Sequence, residues 1–227
     1  MPELGRPRIH LRRTGSTNDR AQALAMAGAP HGTLVTTGEQ TAGRGRQGRA
    51  WTAPPDKALL LSVVIRPPEA LLPLRGGLAV ADLVGPEAMV KWPNDVLLAG
   101  RKVAGVLAEA RPQEGWAVLG IGVNVSVGPE DLPGGLKDTA GGLGRPGHEL
   151  ENALTTLLTA LGRRLDEPAE RTIEAVRARD ALCGRPVTWS DGSGVAAGID
   201  DSGALLVRTS AGATVALDSG EVHLAHG

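Results

Sequence analysis

The chain has 227 residues, of which 22% are charged and 41% hydrophobic, and its formal net charge is -1 at pH 7. The near-neutral charge and the lack of a long apolar run exclude a strongly basic nucleic-acid binder and a membrane-spanning protein, so we expect neither partner. The single cysteine, Cys183, excludes an internal disulfide framework and a multi-cysteine metal site, and favours a cytoplasmic location.

The first 84 residues predict an alternation of strands and helices around one irregular segment. Ser16, Thr17 and Asn18 supply N-cap chemistry for a helix that runs through Ala27, and Gly28 stands in the stop position. The other predicted elements are strands at 8–13, 33–37 and 57–65, an irregular segment at 38–49, and a helix at 74–84.

The next stretch predicts closely spaced strands followed by two helices. Strands are expected at 88–92, 95–98, 102–108 and 116–125, with a hairpin turn at Ala99-Gly100. Residues 128–147 are loop-like, and helical periodicity covers 150–165 and 169–182. Cys183 is expected to be a small buried residue at the end of this region.

Short β-type runs separated by turns follow Cys183. They cover 186–190, 195–199, 204–209, 214–217 and 221–224, with the turn sequences DGSG, DDSG and SAGA between them. This spacing predicts a small β-barrel appended to an α+β domain, with the domains at 1–182 and 183–227.

Residues 38–51 form a segment rich in glycine and arginine that contains the pattern G-x-G-x-x-G at Gly43, Gly45 and Gly48. A dinucleotide-binding interpretation fails, because Trp51-Thr-Ala-Pro-Pro cannot open a helix well after the glycines. No Walker motif is present either. What remains is a glycine backbone that carries three guanidinium groups, which suits anion binding, a solvated surface loop or an RNA contact.

A second polar cluster comprises Lys91-Trp92-Pro93-Asn94-Asp95 and, seven residues later, Lys102. A simple hairpin connection would explain the turn residues. However, the chain has only four lysines and two of them lie in this segment. Lys102 also opens an apolar strand, where it would be a good partner for a carboxylate or phosphate, so a functional role is favoured.

Together these residues resemble the catalytic domain of biotin–protein ligases. The resemblance covers nearly the whole chain and is carried by six strings in order: Gly-Ser-Thr-Asn at 15–18, Glu-Gln-Thr-Ala-Gly-Arg-Gly-Arg-Gln-Gly-Arg-Ala-Trp at 39–51, Leu-Leu-Leu-Ser at 59–62, Lys-Trp-Pro-Asn-Asp at 91–95, Arg-Lys-Val-Ala-Gly-Val-Leu at 101–107 and Gly-Ile-Gly-Val-Asn-Val at 120–125. It implies an α+β fold, in which a mixed sheet with flanking helices of class II synthetase type precedes a small SH3-like β-barrel.

The resemblance also implies a reaction in two steps. The carboxylate of biotin attacks the α-phosphate of ATP, with Mg²⁺ present, and gives biotinyl-5′-AMP and pyrophosphate. A lysine of a biotin carboxyl carrier domain then takes the biotin. No protein nucleophile is needed, and a homodimer is an assembly that the resemblance allows.

Site roles follow from the resemblance by position. Lys102 and Arg46 are the expected catalytic residues, and Asp95 is the expected magnesium ligand. The expected biotin-binding residues are Ser16, Thr17, Gln40, Gly43, Arg44, Arg46, Lys102, Gly105, Gly120 and Gly122. The expected ATP-binding residues are Arg46, Arg49, Trp51, Lys91, Asn94, Lys102 and Asn124.

Two departures and two alternatives accompany this interpretation. Gly15 stands where the family often has Asp, and the 15 residues before the Ser-Thr-Asn motif are too few for the DNA-binding module of ligases that repress transcription. A lipoate–protein ligase or octanoyl transferase of the same superfamily is the nearest alternative, and a nucleic-acid-binding module is an alternative from another class.

The five histidines, His10, His31, His148, His223 and His226, show no metal-ligand spacing.

Overall fold

A seven-stranded mixed sheet forms the larger part of the computed structural model, which describes residues 4–218 and 220–224. His226 lies outside the described residues. The strands are β1 (Arg8–Thr14), β2 (Leu34–Gln40), β3 (Ala58–Ile65), β4 (Met89–Lys91), β5 (Asp95–Leu98), β6 (Arg101–Arg111) and β7 (Trp116–Asn124). Their order across the sheet is β1-β2-β3-β7-β6-β5-β4, with β1 parallel to β2 and every other neighbour antiparallel. The predicted mixed sheet is confirmed.

Helices cover both faces of this sheet: α1 (Thr17–Met26), α2 (Leu72–Val84), α3 (Leu150–Asp166) and α4 (Ala169–Ala178). The central strands β3 and β7 are buried along their whole length, which requires cover on both sides. Since side chains alternate along a strand, Val63 belongs to the main core with α2 and α3, whereas Val64 packs with Ala21 and Ala25 of α1.

The turn between β5 and β6 has the predicted hairpin geometry. Ala99 has φ 49° and Gly100 has φ 77°, so both central residues take the left-handed conformation that a tight hairpin turn needs. The turn brings Asp95 opposite Gly105 in the register of the two strands. It therefore places the two halves of the second polar cluster side by side.

The last helix is shorter than predicted, because it ends at Ala178 rather than at residue 182. The residues that follow pair with the edge strand β4: the Val90 N–H donates to the Arg179 carbonyl at 2.7 Å and the Ala181 N–H donates to the Val90 carbonyl at 3.0 Å. This pairing competes with the helix for the same backbone groups. Cys183 is exposed, so the expectation of a buried cysteine was wrong.

A second, antiparallel sheet contains β8 (Pro186–Trp189), β9 (Gly192–Ile199), β10 (Leu205–Thr209), β11 (Thr214–Leu217) and β12 (His223–Leu224), in the order β11-β10-β9-β8-β12. All five predicted strands are present. However, β9 begins inside the predicted DGSG turn, and over the described residues β11 does not pair with β12. The expected barrel is therefore an open sheet.

The second sheet packs directly against the rest of the protein. The Trp92 indole donates to the Gly203 carbonyl at 3.0 Å, and the Arg177 guanidinium donates to the Ile199 carbonyl at 2.6 Å. Val187 and Leu205 belong to the same buried cluster as the core of the large sheet. A domain division between residues 182 and 183 stays a prediction. No helix in the described ranges is long and apolar enough to cross a membrane.

Candidate active site

A cavity of about 620 Å³ lies on the α1 face of the large sheet. Both polar clusters predicted from the sequence reach it, although they are far apart in the chain. Every predicted site residue except Gly43 lines it: Ser16, Thr17, Gln40, Arg44, Arg46, Arg49, Trp51, Lys91, Asn94, Asp95, Lys102, Gly105, Gly120, Gly122 and Asn124.

One end of the cavity has a buried polar floor. The Thr17 N–H and hydroxyl both donate to Gln40 Oε1, at 2.7 and 3.1 Å, and the Ser62 hydroxyl donates to Asn18 Oδ1 at 2.6 Å. Ser16 holds the predicted N-cap position of α1 with an extended backbone but makes no side-chain cap bond, so the predicted capping chemistry was wrong. These buried polar groups suit a small polar ring, since an unpaired polar group in an apolar site is costly.

The arginine–glycine segment, predicted to be irregular, folds into a short hairpin over residues 43–51. Arg44 and Ala50 form an antiparallel bridge, and the Gly45 N–H donates to the Arg49 carbonyl at 2.7 Å. A side chain at Gly43 would collide with the Trp51 carbonyl, which explains the glycine there. Gly43 thus allows the two ends of the hairpin to approach each other, although it does not line the cavity.

The Trp51 indole lies directly on the sheet. A Cβ atom at Gly122 would come within 2.5 Å of the ring, and one at Gly105 within 3.0 Å. Only glycine at these two positions lets the aromatic ring approach so closely. Lys102 Nζ is 5.7 Å from the centre of the same ring, which adds a cation–π contact.

The second polar cluster places cations and a carboxylate at the other end of the cavity. Lys102 Nζ is 2.7 Å from Asp95 Oδ1, and the Asn94 amide donates to the Val106 carbonyl at 2.9 Å. The Arg46 guanidinium donates to Asn94 Oδ1 at 3.4 Å, which joins the hairpin to this cluster. Burial lowers the pKa of Lys91 from its usual value. A bound anion would therefore favour the charged form of Lys91.

The two remaining predicted residues bind segments that border the cavity. The Asn124 amide donates to the Gly141 carbonyl at 2.9 Å, which holds the loop after β7 against the cavity. Arg49 forms a salt bridge with Glu221, so the hairpin also contacts the C-terminal sheet region.

Comparison with known proteins identifies the family. A sequence model of the biotin/lipoate A/B protein ligase family matches residues 10–126, more than half of the chain. The chain belongs to the biotin/lipoate A/B protein ligase family. A model of the biotin protein ligase C-terminal domain matches residues 182–224. The resemblance found in the sequence is confirmed.

Two curated relatives extend this family match. The chain is 37% identical to the biotin–[acetyl-CoA-carboxylase] ligase of Mycobacterium tuberculosis, over 92% of this chain and 85% of that protein. It is 38% identical to the enzyme of the same name from Paracoccus denitrificans, over 90% and 95%. The solved biotin protein ligase of Aquifex aeolicus in complex with biotin and ATP superimposes with a TM-score of 0.81 at 27% identity, over 98% of this chain and 100% of that one.

Three polar residues of this ligase-family site were missed by the sequence prediction of the site. Asn18 and Ser62 lie in the recognised strings at 15–18 and 59–62 and could have been carried over with their neighbours. Glu109 lies beyond every recognised string, and no local pattern marks it. It accepts hydrogen bonds from Asn18 and Arg44, residues far away in the chain.

Proposed function

We propose that this chain is an ATP-dependent biotin–protein ligase, which makes biotinyl-5′-AMP and transfers biotin to a lysine of a biotin carboxyl carrier domain. The observation that carries this proposal is a single cavity with a buried polar floor at one end and a cationic cluster at the other. The reaction requires these two environments next to each other, because a neutral ring and a triphosphate must be held with their reacting groups in contact.

The polar floor suits the ureido ring of biotin. Ser16 and Thr17 offer hydroxyl groups, and the Gln40 amide can both donate and accept. Thr17 and Gln40 are already hydrogen-bonded to each other, so the floor is organised before the ligand enters. Gly120 lets the Asn18 amide lie directly against β7, and Gly122 does the same for the Trp51 ring, so both groups are held in place at the cavity.

The cationic end suits the triphosphate and the carboxylate of biotin. Lys102, Arg46 and Lys91 line it, and Arg49 lies at the hairpin edge. Because two anions must approach each other in the first step, cations that neutralise both lower the barrier. The exposed face of the Trp51 ring is a stacking surface for adenine. Asn94 and Asn124 then fix the segments that border the nucleotide.

A magnesium ion at the cationic end of the cavity would need ligands from ATP as well as from the protein. Among the residues at 4–218 and 220–224, no group of three or more His, Cys, Asp and Glu side chains is placed to hold a metal. Asp95 offers one carboxylate in the cavity. One carboxylate with phosphate oxygens and water is an ordinary set of ligands for Mg²⁺. Asp95 would hold the ion, which would neutralise phosphate charge.

Each step balances without a protein nucleophile. In the first step a carboxylate oxygen of biotin bonds to the α-phosphorus of ATP while the bond to the β-phosphate oxygen breaks, and pyrophosphate leaves. In the second step the neutral amine of the acceptor lysine attacks the biotinyl carbonyl, AMP leaves, and the amine loses a proton. Lys102 and Arg46 act by holding the two anions in position.

Biotin is favoured over lipoate because of the polar floor. The dithiolane ring of lipoate has no strong hydrogen-bonding groups, so it would make no hydrogen bonds with the polar groups of the floor that face the cavity. The nucleic-acid alternative is disfavoured, because Arg44, Arg46 and Arg49 line the cavity and Arg44 and Arg49 are paired with carboxylates.

The cellular location, the acceptor protein and the oligomeric state of the enzyme are also proposals. The single cysteine among 227 residues supports a cytoplasmic location. The acceptor is a biotin carboxyl carrier domain, since the proposed chemistry ends on such a lysine. Homodimer formation stays a prediction, which sedimentation at several protein concentrations would test.

Isothermal titration with biotin and with lipoate tests the substrate. We expect biotin to bind at least about 100-fold more tightly than lipoate, because a site built for hydrogen bonds strongly rejects a ligand without them. Lipoate binding without biotin binding would refute the proposal.

A further inference from the structure

Glu109, on β6, joins the floor of the cavity to the hairpin through one oxygen atom. Its Oε2 accepts from the Asn18 amide at 2.7 Å and from the Arg44 guanidinium at 3.0 Å. Hydrogen bonds to a charged group are stronger than those between neutral groups. Both contacts therefore depend on the same carboxylate.

On the floor side, Glu109 fixes the orientation of a buried amide. Asn18 is 4% exposed, and its Oδ1 accepts from the Ser62 hydroxyl at 2.6 Å. A side chain at Gly120 would collide with Asn18 Oδ1, so the amide lies against β7. With Ser62 on its oxygen and Glu109 on its nitrogen, the Asn18 amide is held at both ends.

On the hairpin side, Arg44 has two acidic partners, which differ in their exposure and in their connection to the floor of the cavity. Asp19 is 2.7 Å away, but its side chain is 60% exposed and no hydrogen bond links that side chain to the floor within the described residues. Glu109 is 26% exposed and reaches the floor through Asn18. The ion pair with the more exposed carboxylate contributes less, and the Glu109 carboxylate is the one that also bonds to the floor, so Glu109 is the partner that can anchor the hairpin.

We propose that Glu109 is a positioning residue, which anchors the hairpin of residues 43–51 to the biotin end of the cavity through Arg44. This inference deepens the proposed function and rests on it. The hairpin borders the cavity that would hold biotinyl-5′-AMP, so its anchoring controls how long that intermediate stays bound. Glu109 acts through Arg44 and Asn18 and does not touch the reacting atoms.

The test measures the release of biotinyl-5′-AMP from the full chain. The intermediate is formed from labelled biotin, ATP and Mg²⁺ and then chased with unlabelled biotin. Glu109→Gln keeps an oxygen that can accept from Asn18 but removes the charge facing Arg44. We expect it to release the intermediate about tenfold faster, as the loss of one charge-assisted hydrogen bond predicts.

Asp19→Asn is the matched control, because it removes the other carboxylate from the same guanidinium. Its release rate should stay within about twofold of wild type. Arg44→Ala approaches the same contact from the other side and should reproduce the faster release. Adding Glu109→Gln to Arg44→Ala should change the rate little further, since one contact cannot be lost twice.

A wild-type release rate in Glu109→Gln, or a full additional factor in the double variant, would overturn the inference. Equal acceleration by Asp19→Asn would also overturn it, because the floor would then be irrelevant. The thermal unfolding midpoint of Glu109→Gln should stay within about 2 °C of wild type, and a larger fall would assign the residue to stability instead. A wild-type protein that forms no adenylate would contradict the proposed function rather than this inference.

Discussion

A single atom of Lys102, its Nζ, is placed to interact with both proposed substrates. Its ammonium group pairs with Asp95 at 2.7 Å, lies 5.7 Å from the centre of the Trp51 ring, and lines the cationic end of the cavity. The side chain is 34% exposed, so its charge remains available to a ligand. A cation in this position can neutralise the carboxylate of biotin and the α-phosphate together.

Lys102→Ala should lower the rate of adenylate formation by at least about 100-fold, in the range found when one preorganised electrostatic contact is removed. The fold should persist, because this side chain does not fill the core. Pyrophosphate release in the presence of biotin and ATP measures the rate.

Lys57→Ala is the matched control for that change. Lys57 forms a similar ion pair, 2.7 Å from Asp131, and its side chain is 38% exposed, but it does not line the cavity. Its pyrophosphate release should stay within about twofold of wild type. A near-normal rate in Lys102→Ala would remove Lys102 from the catalytic assignment.

Single residues differ in how far the sequence could reveal them. Lys102 could be predicted because lysines are scarce and it opens an apolar strand. Glu109 could not be predicted, because its role depends on contacts with Asn18 and Arg44. These residues precede it by 91 and 65 positions in the chain. Such contacts are created by the order of strands in the sheet, which local patterns do not contain.

At the scale of elements, β7 presents two glycines to two different ends of the cavity. Gly120 and Gly122 are two residues apart, so they face the same side of the sheet. A Cβ at Gly120 would collide with Asn18 Oδ1, whereas a Cβ at Gly122 would come within 2.5 Å of the Trp51 ring. The two glycines thus lie at the proposed biotin end and the proposed adenine end of the cavity.

Gly120→Ala should therefore raise the KM for biotin by about tenfold and leave the KM for ATP within about twofold. Gly122→Ala should do the reverse, because it displaces the aromatic ring. Steady-state kinetics with each substrate varied in turn separates the two effects. Equal changes in both constants for both variants would show that β7 does not divide the cavity in this way.

Elements could be predicted well where local chemistry decides them. The hairpin turn at Ala99 and Gly100 and the buried strands β3 and β7 follow from turn residues and apolar runs. The end of α4 could not be predicted, because residues 179–181 leave the helix to pair with Val90 of a distant strand. The hairpin at 43–51 was also missed, since its bridge depends on backbone geometry around Gly43.

At the scale of the whole molecule, the position of the second sheet could not be predicted from its strand pattern. The pattern fits the five strands but not their closure, because the order β11-β10-β9-β8-β12 leaves β11 and β12 unpaired with each other over the described residues. Trp92 and Arg177 bond to its backbone, and Arg49 of the hairpin pairs with Glu221 beside it. The site is therefore bordered by both sheets.

In the proposed reaction, one cavity joins biotin to the α-phosphate of ATP. Mass spectrometry of the purified chain after incubation with biotin, ATP and Mg²⁺ tests it most directly. We expect biotinyl-5′-AMP bound to the protein, with pyrophosphate released in equal amount and no adenylate when lipoate replaces biotin. An adenylate of lipoate but not of biotin, or no adenylate from either acid, would contradict it.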